Sequence, residues 1–250
     1  MKKKRIAYLV LILFSGLFLF SCKKSPQGEE GPVGKDAPLL RGSIIGFVKN
    51  YDGYGNQIFD ASGFSVTIKG DTTAVTQTNA AGRYEFENIQ TGLYSLSYAK
   101  EGYDTSRIYA VQFLGGTAPK LAPEKQVFHI SPIGITSIKL INNNTVGLKL
   151  ENAIANKSAL INLAYSTKNS VSINGNDYIQ GSYVNTFIDP NNTYTLNLYY
   201  PDGKFPSGTK VYIKAYVSPH YSSRELQQDG STKYLSYSRK SSDVIEITIP

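Results

Sequence analysis

The chain has 250 residues, with 26 Lys and Arg against 19 Asp and Glu, 41% apolar residues and one cysteine. A single cysteine excludes an internal disulfide and a thiolate metal cluster, so stability has to come from a hydrophobic core. The basic excess is not gathered into a stripe that could neutralise a phosphate backbone, which argues against nucleic acid as a partner.

Lys2, Lys3, Lys4 and Arg5 precede an apolar run from Ile6 to Phe20 that is broken only by Ser15 and Gly16. This is the basic n-region and apolar h-region of an export signal. Fifteen helical residues rising ~1.5 Å each reach about 22 Å, short of the ~30 Å hydrocarbon core, so residues 1–21 read as a cleaved signal helix. Its removal takes four basic residues and lowers the net charge from +7 to +3. Leu19-Phe20-Ser21-Cys22 resembles a lipobox, in which a small residue precedes a cysteine that is acylated and becomes the new N-terminus. Phe20 departs from the commonest form, where a smaller residue stands. The resemblance implies a palmitate-type lipid on Cys22 and attachment to a membrane. Each buried CH₂ contributes about 0.8 kcal/mol, so several acyl chains hold a protein on a bilayer. Lys23 follows where an inner-membrane retention signal has aspartate, so the expected location is the outer membrane, facing either the periplasm or the surface.

Residues 22–38 contain Gly28-Glu29-Glu30, Gly31-Pro32-Val33 and Gly34-Lys35-Asp36. Three Gly-X-Y triplets are too few to hold a collagen-like trimer, and their Gly, Pro and charge cannot bury a core. The segment reads as an extended tether.

From Leu39 onward, short alternating apolar segments are separated by Gly, Asn and Asp, the pattern of an all-β domain. Residues 43–48, 64–68, 84–86 and 94–98 are predicted strands, with turns at Asp52-Gly53, Gly70-Asp71, Ala81-Gly82 and Thr91-Gly92. Gly46-Phe47-Val48, Gly63 to Ile68, Thr78 to Ile89, Gly92 to Leu96 and Gly102-Tyr103 together resemble the carboxypeptidase regulatory-like family. That resemblance covers about 39–116 and implies a transthyretin-like β-sandwich. Modules of this family accompany peptidases without cutting peptides themselves.

Pro119, Pro123 and Pro132 mark a boundary region, and the first domain is placed at 39–133. A second set of strands is predicted at 137–141, 146–150, 160–165, 194–200, 211–217 and 244–249, giving a domain at 134–250. Phe205-Pro206-Ser207-Gly208-Thr209 leading into Lys210 to Tyr216 resembles fibronectin type III-like domains, although Val211 stands where that family often has its corner tyrosine. An immunoglobulin-like sandwich is the implied architecture. The fold class is therefore all-β, two consecutive β-sandwiches after a signal helix.

Catalytic signatures are sparse. Gly-x-Ser-x-Gly does not occur, and His129 and His220 are isolated from any HxxE or HExxH arrangement. No metal or cofactor site is expected. Asn50 to Asn56 carries oxygen-bearing residues at alternating positions but lacks the closing glutamate of a calcium loop, and reads as an ordinary turn. Tyrosine is abundant, with 19 Tyr and no Trp. It suits half-buried sheet surfaces, and exposed rings also stack on sugars. Tyr51, Tyr54, Tyr178, Tyr183 and Tyr221 are expected in loops and are the candidate ligand-binding residues. The expected function is a lipid-anchored, non-catalytic cell-envelope binding or structural module, with an envelope protein or a glycan as its expected ligand, the alternative being a carbohydrate-binding component of a polysaccharide uptake system.

Overall fold

The computed structural model describes residues 39–155, 157–174, 179–187, 193–199, 204–219 and 224–250, whose regular structure is all β-strand. The strands of the first half are β1 (Arg41–Tyr51), β2 (Gln57–Ile58), β3 (Ser65–Lys69), β4 (Thr73–Gln77), β5 (Arg83–Gln90), β6 (Gly92–Ala99), β7 (Ser106–Phe113), β8 (Lys120–Leu121) and β9 (Lys125–Phe128). Those of the second half are β10 (Gly134–Asn142), β11 (Thr145–Glu151), β12 (Ser158–Ser166), β13 (Ile179–Phe187), β14 (Tyr194–Asn197), β15 (Lys210–Ser218), β16 (Arg224–Leu226), β17 (Thr232–Tyr234) and β18 (Ile245–Thr248).

Two sheets face each other in the first half. One is centred on β1, which pairs antiparallel with β2 and β5 and parallel with β8 and β9; the other runs β4-β3-β6-β7. Alternation along each strand sends one set of side chains inward. Ile44 and Val48 of β1 and Tyr84 and Phe86 of β5 meet Val66, Ile68, Tyr94, Leu96 and Tyr98 of the facing sheet. Gly46 is an inward position of β1, and the Tyr84 ring lies where its Cβ would be. That close approach lets the Tyr84 hydroxyl reach the Tyr98 hydroxyl at 2.7 Å inside the core. The proline-bearing segment adds two strands to this half. Pro119 and Pro123 flank β8 and β9 without entering them, so no ladder N–H is lost.

The second half packs sheet β10-β11-β14 on sheet β13-β12-β15-β18. Ile135, Ile138, Val146, Leu148 and Leu196 meet Ile161, Leu163, Val211, Ile213, Ala215 and Val217. The outer face of β12 and β15 is covered too, by a smaller cluster of Ala164, Val171, Ile173, Tyr216 and Tyr237. Burial on both faces is why Leu160 to Tyr165 reads as a nearly unbroken apolar run rather than an alternating one. The two halves keep separate cores, yet residues 39–250 form one compact unit.

Candidate functional site

The structure uses two of the five candidate tyrosines for its own packing. Tyr51, expected in a loop, is the last residue of β1, and its ring stacks on its cross-strand partner Phe128 at 4.7 Å. The parallel β9 carries β1 past the predicted end at Val48, up to the Asp52-Gly53 turn. Tyr54 does lie in a turn, but it packs against the second core and donates from its hydroxyl to the Asn152 carbonyl at 3.3 Å. Tyr178 and Tyr221 lie outside the described residues, as do Cys22, His220 and the tether. Tyr183 falls on β13, where the backbone alone is described.

The oxygen-rich turn is held by its own aspartate. Asp52 accepts from the Tyr54 and Asn56 backbone N–H groups at 2.9 and 2.8 Å and from the Asn56 side-chain amide at 2.7 Å. This is an Asx turn, which spends carboxylate lone pairs that a cation would need. Asp60 repeats the device: its carboxylate accepts the Ser62 N–H at 2.9 Å, and the bonds from Ser62 lower its pKa below the usual carboxylate value. Among the described residues no three His, Cys, Asp or Glu converge as a metal site. His129 is bridged to Tyr103, whose ring meets the imidazole edge-on at 5.1 Å.

Charge is concentrated instead where the halves meet. Glu225 on β16 is buried, accepts the backbone N–H of Arg107 on β7, and lies 3.4 Å from the Lys125 ammonium. The acceptor is a side chain reaching the open edge of β7, so the β16–β17 hairpin covers an edge strand that would otherwise present a bare N–H. Tyr109 adds a bond to Gln227 at 3.1 Å. It stands at a β-bulge opposite Tyr94 to Leu96, where Ala110 takes φ 58°. Bulges re-aim the neighbouring side chain, and here that side chain meets the hairpin. Asp104 accepts the Ser236 N–H at 2.6 Å and the Arg239 guanidinium at 2.7 Å, while the Ser236 hydroxyl donates to the Phe128 carbonyl at 2.6 Å. A cavity of about 20 Å³, lined by Asp104, Ser106, Lys125 and Ser236, lies inside this network. That volume admits one water and excludes any organic substrate.

A larger, open groove of about 250 Å³ runs along Gln112, Phe113, Leu114, Gly115, Ala118 and Lys120, at the end of the first sandwich where the described chain begins. It is smaller than the ~300–1,000 Å³ clefts that enclose drug-sized ligands.

No protein-family model and no curated protein matches this sequence. Among solved structures, the chain is similar to a candidate carbohydrate-binding protein from Bacteroides uniformis, at 15% identity over 83% of this chain and 98% of that one, with a TM-score of 0.32. It is similar to a DUF3823 family protein from Bacteroides ovatus, at 14% identity over 84% of this chain and 100% of that one, TM-score 0.32. A DUF3823 family protein from Parabacteroides merdae matches at 10% identity over 84% of this chain and 99% of that one, TM-score 0.28. At such scores the architecture rests on the strand pairing described above.

Sequence reasoning missed Asp104, Glu225 and Ser236. Their partners lie 132, 118 and 108 residues away in the chain, and no local pattern marks such a tie. The hairpin carried a weak signal in Asp229-Gly230 between two polar strands, which is ordinary turn chemistry.

Proposed function

We propose that the chain is a non-catalytic binding module of the bacterial cell envelope, anchored in the outer membrane by lipid on Cys22. In this reading residues 22–38 tether two domains, 39–133 and 134–250, to the lipid. The observation that carries the non-catalytic part is the use made of four acids. Asp52 and Asp60 fold their own loops, and Asp104 and Glu225 clamp the two halves together. General acid–base work needs a carboxylate facing substrate, and these face the protein. The strand pairing of residues 41–128 suits the carboxypeptidase regulatory-like resemblance, and the open sandwich of residues 134–250 suits a fibronectin-like module. Labelled palmitate supplied to cells tests the anchor: wild-type protein incorporates label and sediments with membranes, and Cys22→Ala does neither. Label on the Cys22→Ala protein would remove the lipobox reading.

One feature favours carbohydrate as the ligand over an envelope protein. The outer face of β4-β3-β6-β7 carries Ser65, Thr67, Ser95 and Ser97 side by side, with Thr67 opposite Ser97 and Arg107 beyond it. These small hydroxyls, with the Arg107 side chain beside them, offer hydrogen bonds to an extended sugar chain. On a broad glycan array the full chain is expected to bind, and Thr67→Arg, which puts a bulky side chain among these hydroxyls, to abolish binding. Silence across the array leaves the envelope-protein reading.

A further inference from the structure

Five leucines at one end of the first sandwich are open to solvent: Leu39, Leu40, Leu93, Leu114 and Leu121, each between 57% and 67% exposed. Single exposed leucines are ordinary, but a cluster marks a surface that meets something apolar. The backbone gathers them. Thr91 Oγ donates to the Leu40 and Leu114 carbonyls at 3.0 and 2.9 Å, and Gly115 lies directly against Leu40. Leu93 pairs with Gln112, two residues before Leu114, and Leu121, on the outer face of the β1 sheet, pairs with Ile45, the fifth residue of β1. Arg41 and Lys120 stand among the leucines with Asp71 beside Gly92, so charge is nearly balanced and the apolar side chains dominate.

The place of this rim in the chain says what covers it. Leu39 follows residues 23–38, and sixteen residues span at most about 58 Å, with an r.m.s. reach of about 22 Å for a Gly-rich coil. Whatever holds Cys22 is therefore presented to this end of the sandwich at high effective concentration, and a weak contact suffices. We propose that the leucine rim rests on the bilayer that carries the Cys22 lipid, so that the first sandwich stands on the membrane by this end and the opposite end of β1 points away. The proposal rests on the lipid-anchor reading above.

The chain has no tryptophan, so one introduced indole reports on one place. Full-length acylated protein carrying Leu114→Trp, Leu121→Trp or, as the remote control, Phe59→Trp is reconstituted into phosphatidylethanolamine–phosphatidylglycerol vesicles with brominated acyl chains. Phe59 is 88% exposed and follows β2, which pairs with the far end of β1. Acylation is read by mass on the same samples. Both rim variants are expected to shift to the blue and lose most of their emission to the bromines, while Phe59→Trp keeps its own. Acylated, vesicle-bound protein with unquenched rim tryptophans overturns the proposal and leaves the anchor standing. A blue shift without quenching means that protein covers the rim, and also overturns it. Protein without acyl mass overturns the anchor reading and this inference together.

Discussion

Tyr84 and Tyr98 illustrate how a polar group earns a place in this core. Each is buried to 1% exposure, and their hydroxyls bond one another at 2.7 Å, which Gly46 permits by leaving room for the Tyr84 ring. Tyr98→Phe strands the Tyr84 hydroxyl in an apolar site and should cost about 1–2 kcal/mol in urea denaturation, whereas replacing both by Phe should cost much less. The same burial raises both phenol pKa values, since the charged phenolate would have to lose its water. A raised folded-state pKa gives stability that is complete below the unfolded value of about 10 and is lost as pH rises above it, because only the unfolded chain releases these protons. Stability measured between pH 9 and 11 should therefore fall with rising pH, and more gently in the double Phe variant. The tyrosines themselves were legible as strand residues in the sequence. That Tyr51 stacks on Phe128 and Tyr54 packs against the second core was not, because both meet residues far away in the chain.

At the scale of elements, alternation placed β1, β3, β5, β6, β10, β11, β12 and β15 close to where they lie, since each buries at least one face and needs apolar residues in phase. It also placed β14 and β18, and several of the strands it missed bury little. β4 is an exposed edge, β8 has two residues, and the β16–β17 hairpin is stabilised through Glu225 and Gln227 rather than through an apolar stripe. The turn before β5 shows what local chemistry does determine. Gly82 takes φ 76°, and a Cβ there would run into the Val48 carbonyl, whose own N–H bonds Gly82 O at 2.9 Å. Gly82→Ala should destabilise by about 1 kcal/mol or more through the left-handed backbone alone, read as a lowered denaturation midpoint with unchanged slope.

In the whole molecule, the decisive contacts are those between the halves. Two separate cores would unfold independently if nothing coupled them, and the ties include Asp104 to Ser236 and Arg239, Glu225 to Arg107 and Lys125, Tyr109 to Gln227, Ser236 to Phe128 and Tyr54 to Asn152. Wild-type protein should melt in one calorimetric transition, and Asp104→Ala combined with Glu225→Ala should split it in two, because removing the acids leaves Lys125 and the Arg107 N–H without their buried acceptor. A single unsplit transition in the double variant would mean that apolar contact alone couples the halves. The all-β class and most of the core strands were legible in the sequence, as was the case for export and for lipid on Cys22, because hydrophobic period, turn residues and leader composition are local properties. Only the tertiary structure decided the parallel pairing of β8 and β9 with β1, the fate of Tyr51 and Tyr54, the clamp around Glu225 and the gathering of five leucines at one end. Each of these joins residues far apart in the chain, and such a contact leaves no periodic trace in the sequence.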